Sequence, residues 1–265
     1  MPEGHTIHRL AKDHAQFFAG HPVAVSSPQG RFAAGAAMLD GAVLTSTDAY
    51  GKHLLHHYEH GPIVHVHLGL FGRVRHHRGP PPEPRDTVRY RVANAAHTID
   101  LTGATACELL EPGDLEALTA RLGPDPLRPD ADPDRAYAAL QRRRVAIGRA
   151  LLDQRVMAGV GNVYRAEVLL VHGAHPELPA REVGRERFDA MWNTLCTWMK
   201  RGVRERRIVT VERNEFDLPR GRVTRAEATY VYGQTHCRRC GTRVRRWDLA
   251  GRWAYACERC QPPPA

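Results

Sequence analysis

The first 110 residues combine one helical pattern with several short apolar runs. Apolar residues and His14 recur at helical spacing between Glu3 and Phe18, and Gly20 follows as a terminator, which predicts a leading helix. From about residue 22 to 110, short apolar runs alternate with turn residues, which is typical of a β-sandwich or barrel. We predict strands at Val23–Ser26, Ala42–Ser46, His53–Tyr58, Ile63–Leu68, Val88–Val92 and His97–Leu101.

The pattern changes after residue 110. The stretch Glu111–Asp134 is rich in Pro, Asp and Gly, and predicts a hinge placed at 119–134 between two domains. The sequence therefore predicts an α+β protein: an N-terminal β-sandwich domain (1–118) with a leading helix, a helical domain (135–225) and a cysteine-bearing hairpin (226–265). The helices are expected at Arg135–Arg142, Ile147–Val156, Val163–Val171 and Arg187–Val203.

Charge narrows the class of partner. The 265 residues carry a formal net charge of +9. Fifteen Arg face seven Asp and Glu between Arg201 and Cys260. A solvated basic face is the simple explanation, but this asymmetry favours nucleic acid. No run is apolar enough to span a bilayer and no secretory signal is evident, so we expect a cytoplasmic protein without a membrane partner.

The start Met1-Pro2-Glu3 is a candidate for chemistry. An initiator Met before proline is normally removed, which would leave Pro2 with a free secondary amine beside a carboxylate. An α-amino group has a pKa of about 8, so part of it is unprotonated at neutral pH and can attack an aldehyde-like carbon. The dipole of the following helix disfavours an added proton. The alternative is a proline that simply stands near a helix start.

Four cysteines show metal-ligand spacing. Two C-x2-C pairs, sixteen residues apart, predict a structural zinc ribbon with a closed tetrahedral site; they are Cys237, Cys240, Cys257 and Cys260. Cys107 and Cys196 lie outside this pattern and are expected in the core. The histidines between His53 and His67 leave two alternatives open, a second metal site or solvent-facing strand positions.

Lysine is rare and glycine is informative. The three lysines are Lys12, Lys52 and Lys200 in an arginine-rich chain, which singles out Lys52 as a residue that arginine would not replace. Gly159 and Gly161 allow two tight turns between helices. Asn162 then opens the second helix, whose free N–H groups suit a phosphate.

Three segments together resemble the formamidopyrimidine-DNA glycosylase/endonuclease VIII family. They are the start Pro2-Glu3-Gly4-His5, the segment from Leu151 through Glu167, and the ribbon from Arg252 to Gln261. The motifs stand in the family's order and cover nearly the whole chain. The resemblance implies a helix-two-turns-helix motif in the helical domain and a zinc ribbon finger at the C-terminus.

The resemblance also implies catalytic roles. Pro2 matches the Schiff-base nucleophile that attacks C1′ and displaces the damaged base. Glu3 matches the acid/base that assists ring opening and elimination. Lys52 matches the family's catalytic lysine on a strand-joining turn, whereas alone it would be a surface lysine.

Further positions match DNA-contacting residues of the family. Asn162, after Gly161, matches the asparagine that binds the DNA backbone, and Arg252 matches the finger arginine that grips phosphates beside the lesion. Glu167 matches a carboxylate packed near the nucleophile; a helix-surface charge is the alternative. Leu70 and Phe71 resemble the apolar wedge that fills the space left by a flipped nucleotide, as opposed to ordinary core residues.

The function that this resemblance implies is a bifunctional DNA glycosylase and AP lyase. We expect a monomer, associated with the nucleoid, that acts on damaged double-stranded DNA with one structural zinc ion and no small-molecule cofactor. The wedge and the Glu-Gly-His-Thr start favour the endonuclease VIII branch and oxidised pyrimidines, cleaved by β,δ-elimination. The alternatives are the 8-oxoguanine branch, a non-catalytic damaged-DNA-binding protein and an N-terminal-proline tautomerase.

Overall fold

The computed structural model describes residues 2–212, 215, 223–224 and 226–264. The chain divides into two compact units, Met1–Arg121 and Leu122–Ala265. This division falls inside the segment 119–134 that the sequence marks as a hinge; the finer domain boundaries stay a prediction.

The first unit is a sandwich of two antiparallel sheets with a helix at its start. In order its elements are α1 (Gly4–Phe18), β1 (His21–Pro22), β2 (Ala24–Ser26), α2 (Ala33–Leu39), β3 (Val43–Tyr50), β4 (His53–Tyr58), β5 (Ile63–His67), β6 (Arg73–Arg78), β7 (Val88–Ala93), β8 (His97–Thr102), β9 (Ala106–Leu110) and α3 (Pro112–Ala120). One sheet has the strand order β1-β3-β4-β5-β9 and the other β2-β7-β8-β6.

The core of this unit lies between the sheets. Alternate residues of the first sheet, such as Leu54 and Val66, join Val92 and Leu101 of the second in one buried cluster, together with Phe18 of α1. The predicted sandwich with a leading helix is confirmed.

The second unit is helical and ends in a two-stranded hairpin. Its elements are α4 (Pro133–Gln141), α5 (Ile147–Ala150), α6 (Asn162–Val171), a 3-10 helix (Ala180–Glu182), α7 (Arg185–Glu205), β10 (Arg245–Asp248) and β11 (Trp253–Ala256). One buried cluster contains helix residues such as Leu169 and Leu195 and hairpin residues such as Tyr255 and Cys257. The hairpin therefore shares the core of the helices.

The prediction of a helix over Ile147–Val156 is wrong in length. The structure ends α5 at Ala150. Beyond it the side chains of Asp153 and Gln154 take over backbone groups: Asp153 accepts from the amide of Arg155, and Gln154 donates to the carbonyl of Val160 and accepts from the amide of Gly159. These side-chain bonds offer the backbone an alternative to the helical ladder.

Candidate functional site

Pro2 and Glu3 immediately precede the first turn of α1. Glu3 is the N-cap residue, with an extended backbone, and its carbonyl accepts from the amide of Thr6 at 2.9 Å. Its side chain is fully buried, while Pro2 is half-buried. No acidic residue lies in the first turn of α1. Pro2 thus stands at the positive end of this helix, where an added proton is disfavoured.

His5 adds a neutral imidazole beside this start. It is buried on α1, and its ring lies 3.2 Å from the hydroxyl of Thr6. Burial, and then neighbouring positive charge, lower the pKa of His5 to about 4. The group therefore stays uncharged at neutral pH.

Lys52 lies on the two-residue turn between β3 and β4. Tyr50 and His53 form the last cross-strand pair before the turn, and Gly51 has a φ of 57°, as in a type II′ hairpin turn. Lys52 is half-buried. Burial first, then the neighbouring histidines and the Lys52 charge, lower the pKa of His53 and of His67.

The histidines next to Lys52 form a hydrogen-bonded row across the sheet. His53 Nδ1 lies 2.8 Å from His65 Nε2, and His65 Nδ1 lies 3.0 Å from Glu108 Oε1. Burial, and then the neighbouring positive groups, lower the pKa of His53 to about 3. Sequence reasoning missed this row, because Glu108 is contributed by β9, 43 residues after His65.

The expectation that the histidines between His53 and His67 face solvent is wrong for two of them. His56 and His65 are buried. Among the described residues, the ribbon cysteines are the one group of three or more side chains whose ligand atoms lie closely enough together for an ion, so the structure gives no support to a second metal site at these histidines. His56 bonds to His14 and Tyr90, and His65 bonds to His53 and Glu108.

The loop between β5 and β6 presents two apolar side chains to solvent. Leu70 is 49% exposed and Phe71 is 80% exposed, so the core alternative is wrong for both. The loop is closed by a bond from the amide of Gly72 to the carbonyl of Leu68 at 2.9 Å. A Cβ on Gly69, where φ is 64°, would lie 1.9 Å from Thr105 Oγ1. The loop is thus tightly packed at its base and apolar at its tip.

The turn between α5 and α6 needs only one of its two glycines for conformational freedom. Gly159 has a φ of 88°, in the left-handed region. Gly161, the N-cap residue of α6, is extended, with a φ of −124°. The tight-turn argument therefore holds for Gly159 and is wrong for Gly161.

Asn162 is bound to the ribbon hairpin. It is the first residue of α6, it is buried, and its Nδ2 donates to the backbone carbonyl of Trp253 at 3.0 Å. Arg165, one turn later and fully buried, donates to the same carbonyl at 2.7 Å and to the carbonyl of Gly148 at 3.1 Å. Sequence reasoning missed Arg165, although an arginine inside an otherwise apolar helix is a visible signal.

Glu167 is a buried acceptor, so the helix-surface alternative is wrong. Its Oε2 accepts from the Thr210 hydroxyl and the Tyr230 amide, at 2.5 and 2.6 Å, and its Oε1 accepts from the amides of Val231 and Tyr232, at 2.9 and 2.8 Å. Burial raises the pKa of the carboxyl, and these bonds lower it in part. Glu167 holds the chain at 230–232 against α6; its predicted proximity to the nucleophile stays a prediction.

The four cysteines of the ribbon meet at one point. Their Sγ atoms all lie within 4.8 Å of one another, and three separations are 3.3, 3.5 and 4.0 Å. Tetrahedral thiolate ligands at a metal–sulfur distance of about 2.3 Å stand roughly 3.8 Å apart. The four thiols could therefore hold one metal ion. Cys107 is buried in the first core and Cys196 packs against the second, as expected.

Arg252 lies at the end of the hairpin turn and is exposed. The turn has positive φ at Ala250 (55°) and Gly251 (78°), with the amide of Leu249 bonded to the carbonyl of Arg252 at 2.8 Å. Two such residues between paired strands define a type I′ turn. The hairpin thereby carries Arg252 and the adjacent Trp253 at its tip.

Among the described residues, no helix is both long and apolar enough to cross a bilayer.

Comparison with known proteins identifies the family. The model of the formamidopyrimidine-DNA glycosylase N-terminal domain matches residues 1–103, and that of the formamidopyrimidine-DNA glycosylase H2TH domain matches 122–213. The chain is 48% identical to Endonuclease 8 1 of Mycobacterium tuberculosis over 268 residues, covering 98% of this chain and all of the relative. It is 31% identical to the formamidopyrimidine-DNA glycosylase of Thermomicrobium roseum, covering 83% and 82% of the two chains.

The fold agrees with solved structures. The Lactococcus lactis Fpg in a complex with DNA containing an abasic site superposes with a TM-score of 0.80, at 19% identity, over 98% of this chain and all of that one. The family resemblance seen in the sequence is confirmed. The chain belongs to the formamidopyrimidine-DNA glycosylase/endonuclease 8 family of DNA glycosylases with AP lyase activity.

Proposed function

We propose that this protein excises oxidised bases, mainly pyrimidines, from damaged double-stranded DNA through a covalent intermediate on Pro2. The observation that carries the proposal is the start of α1, where a proline and a fully buried glutamate precede a first turn without acidic residues. With Met1 removed, the secondary amine of Pro2 lies where the helix dipole favours its unprotonated, nucleophilic form.

Three residues carry out the reaction: Pro2 through its terminal nitrogen, and Glu3 and Lys52 through their side chains. The Pro2 nitrogen attacks C1′, the bond to the damaged base breaks, and the sugar ring opens to give an iminium. Glu3 transfers protons as the ring opens and during elimination, and its burial keeps water away from these transfers. The 3′ phosphate leaves by β-elimination and the 5′ phosphate by δ-elimination. Lys52 supplies an ammonium for the sugar or an adjacent phosphate.

DNA binding uses the apolar loop and the hairpin. Leu70 and Phe71 enter the space left by the flipped nucleotide, since both are exposed at the tip of a loop whose base is packed. Arg252 binds phosphates beside the lesion, and Asn162 contributes to the same backbone contact. One zinc ion held by the four cysteines would supply folding energy to the hairpin and would take no part in the chemistry.

The preference for pyrimidines rests on similarity. Identity is 48% to Endonuclease 8 1 and 31% to a formamidopyrimidine-DNA glycosylase. The wedge loop reads Leu70-Phe71 without the Met that the 8-oxoguanine branch commonly carries. The 8-oxoguanine branch remains the second candidate, and a lesion panel separates the two.

Trapping with cyanoborohydride tests the chemistry. The protein, with Met1 removed, is incubated with duplexes that carry thymine glycol, dihydrouracil, 8-oxoguanine or an abasic site. We expect covalent adducts with the pyrimidine lesions and the abasic site, and none in protein whose Pro2 nitrogen is acylated. Lys52→Gln should form fewer adducts, and Lys12→Gln, which changes a lysine on α1, is its control. Adducts that persist when the Pro2 nitrogen is acylated would refute the nucleophile, and a strong preference for 8-oxoguanine would overturn the substrate assignment.

A further inference from the structure

Trp253 is an exposed aromatic side chain that the proposed function leaves unexplained. Four large apolar side chains are exposed among the described residues: Met38, Leu70, Phe71 and Trp253. Leu70 and Phe71 belong to the wedge loop. Trp253 is 51% exposed and follows Arg252 directly at the start of β11. The indole belongs to neither buried cluster, so its ring is available to a ligand.

The backbone of Trp253 is held rigidly. Its carbonyl accepts from Asn162 Nδ2 at 3.0 Å and from Arg165 Nη2 at 2.7 Å, and both donors are buried. On the hairpin, Trp253 pairs with Asp248 in the cross-strand register. The carbonyl, and not the indole, makes these bonds. The ring therefore lies on a fixed backbone, and replacement of the indole leaves both hydrogen bonds to the carbonyl in place.

The charge around the ring suits a nucleic acid. The Arg246 guanidinium lies over the indole, 4.5 Å from the ring centroid. Arg252 precedes the ring in the chain, and the carboxylate of Asp248 is turned to the amide of Gly251, at 3.1 Å. An aromatic ring flanked by arginines is the arrangement on which unpaired bases stack in single-strand-binding proteins.

We propose that Trp253 is a DNA-binding residue whose indole stacks on a base left unpaired beside the flipped nucleotide. Extrusion of a damaged nucleotide removes the stacking partner of its neighbours and the pairing partner of the opposite base. Every base has a π-face, so such a contact is tolerant of sequence. This inference rests on the proposed function, because it needs a duplex from which a nucleotide has been extruded.

Binding to two duplexes tests the proposal. Trp253→Ala, Trp253→Phe and the control Met38→Ala are titrated with a duplex that contains a tetrahydrofuran abasic analogue and with the undamaged duplex. We expect Trp253→Ala to weaken binding of the abasic duplex by about tenfold, with little change on undamaged DNA and little change for Met38→Ala. Trp253→Phe should retain most of the affinity, because a ring remains.

Salt dependence separates stacking from charge. Trp253→Ala removes no positive charge, so the slope of log affinity against log salt should stay that of the wild type. Arg252→Ala should reduce this slope by about 1. A loss that is equal on both duplexes, or as large in Trp253→Phe as in Trp253→Ala, would refute stacking on an unpaired base.

Fluorescence gives a second readout. Binding of the abasic duplex should quench wild-type tryptophan emission, and the quenching should fall sharply in Trp253→Phe, because Trp192 and Trp198 are buried and the half-buried Trp247 is stacked on His175. Unchanged quenching in Trp253→Phe would overturn the proposal even where Trp253→Ala folds poorly.

Trapping by cyanoborohydride at saturating DNA distinguishes the stacking proposal from the proposed glycosylase chemistry. An adduct with Trp253→Ala leaves the glycosylase chemistry standing whichever way the binding data fall, whereas the absence of an adduct in the wild type would refute that chemistry alone.

Discussion

Acid should unfold the N-terminal unit through two buried histidines. His14 of α1 and His56 of β4 are fully buried, and His14 Nδ1 lies 2.9 Å from His56 Nε2. His56 Nδ1 lies 2.9 Å from the hydroxyl of Tyr90, which in turn lies 2.7 Å from that of Tyr58. Burial lowers the pKa of His56 to about 3 and holds the pKa of His14 well below its usual value. Both rings are therefore neutral in the folded protein.

The size of the effect follows from linkage. In the unfolded chain each histidine titrates near 6.5. As pH falls through that value, the unfolded state binds protons that the folded state does not, so stability is lost. At pH 5 the His56 ring, with a folded pKa of about 3, costs about 2 kcal/mol of stability, and the His14 ring, whose pKa is also lowered, adds to that loss. An ordinary domain has a total stability of roughly 5–15 kcal/mol.

Urea unfolding between pH 8 and pH 5 measures this loss. All four tryptophans lie in the second unit. Far-UV circular dichroism therefore follows both units, whereas tryptophan fluorescence follows the second alone. We expect the free energy of unfolding of the first unit to fall by more than about 2 kcal/mol, and the fluorescence transition to move less.

Two variants sharpen the test. His14→Asn keeps a polar atom near Nδ1 without a titrating ring, so the loss should become smaller. Exposed His21→Asn is the control. A loss under about 1 kcal/mol in the wild type, or a full loss in His14→Asn, would refute the reasoning.

Three further predictions concern the second unit. Glu167→Gln should destabilise the second unit by about 1–3 kcal/mol, because an amide cannot accept from all four donors. Hydrogen exchange at the amides of Tyr230–Tyr232 should become faster, and Glu177→Gln, at a half-exposed carboxylate, is the control. Unchanged protection of these amides would contradict the role assigned to Glu167. Ala250→Asn should raise the free energy of unfolding by about 0.5–1 kcal/mol, because asparagine suits the left-handed backbone that Ala250 adopts; a lower urea midpoint would argue against the turn. Chelation should remove one zinc per chain and lower the fluorescence-detected midpoint, as should Cys257→Ser but not Cys107→Ser; an unchanged midpoint would mean that no metal stabilises the hairpin.

Periodic patterns were enough to predict most of the fold. The leading helix appears where the spacing of Ile7, His14 and Phe18 places it, since one face of the helix is buried. Strand β6 was missed because its sequence, Arg73–Arg78, is mostly charged and exposed. Helix α2 was missed because Ala33–Leu39 consists mainly of small residues that carry little periodic signal.

The candidate site likewise combines features that are contiguous in the sequence with contacts between residues that are far apart in it. Cysteine spacing and the Pro2-Glu3 start are contiguous in sequence, so they were predictable. The contacts of Glu167 and His14 are not, since their partners lie 43 to 65 and 42 residues away and are brought near only by the tertiary fold. A buried polar side chain is expected to have a hydrogen-bond partner, but the sequence does not identify the residue that supplies it.

The contacts between the hairpin and the helices decide how much of the fold a bound metal would stabilise. In an independent finger, zinc would stabilise the hairpin alone. The structure instead bonds it to the helices, through Arg165 at the carbonyl of Trp253 and through Gln261 Nε2, which donates to the carbonyl of Ala174 at 2.7 Å. Loss of the metal would remove one acceptor of buried Arg165, the carbonyl of Trp253, and a buried charge that loses a hydrogen bond is costly. Zinc at the four cysteines would therefore stabilise α6 and its N-terminal Asn162 as well as the hairpin that carries Arg252.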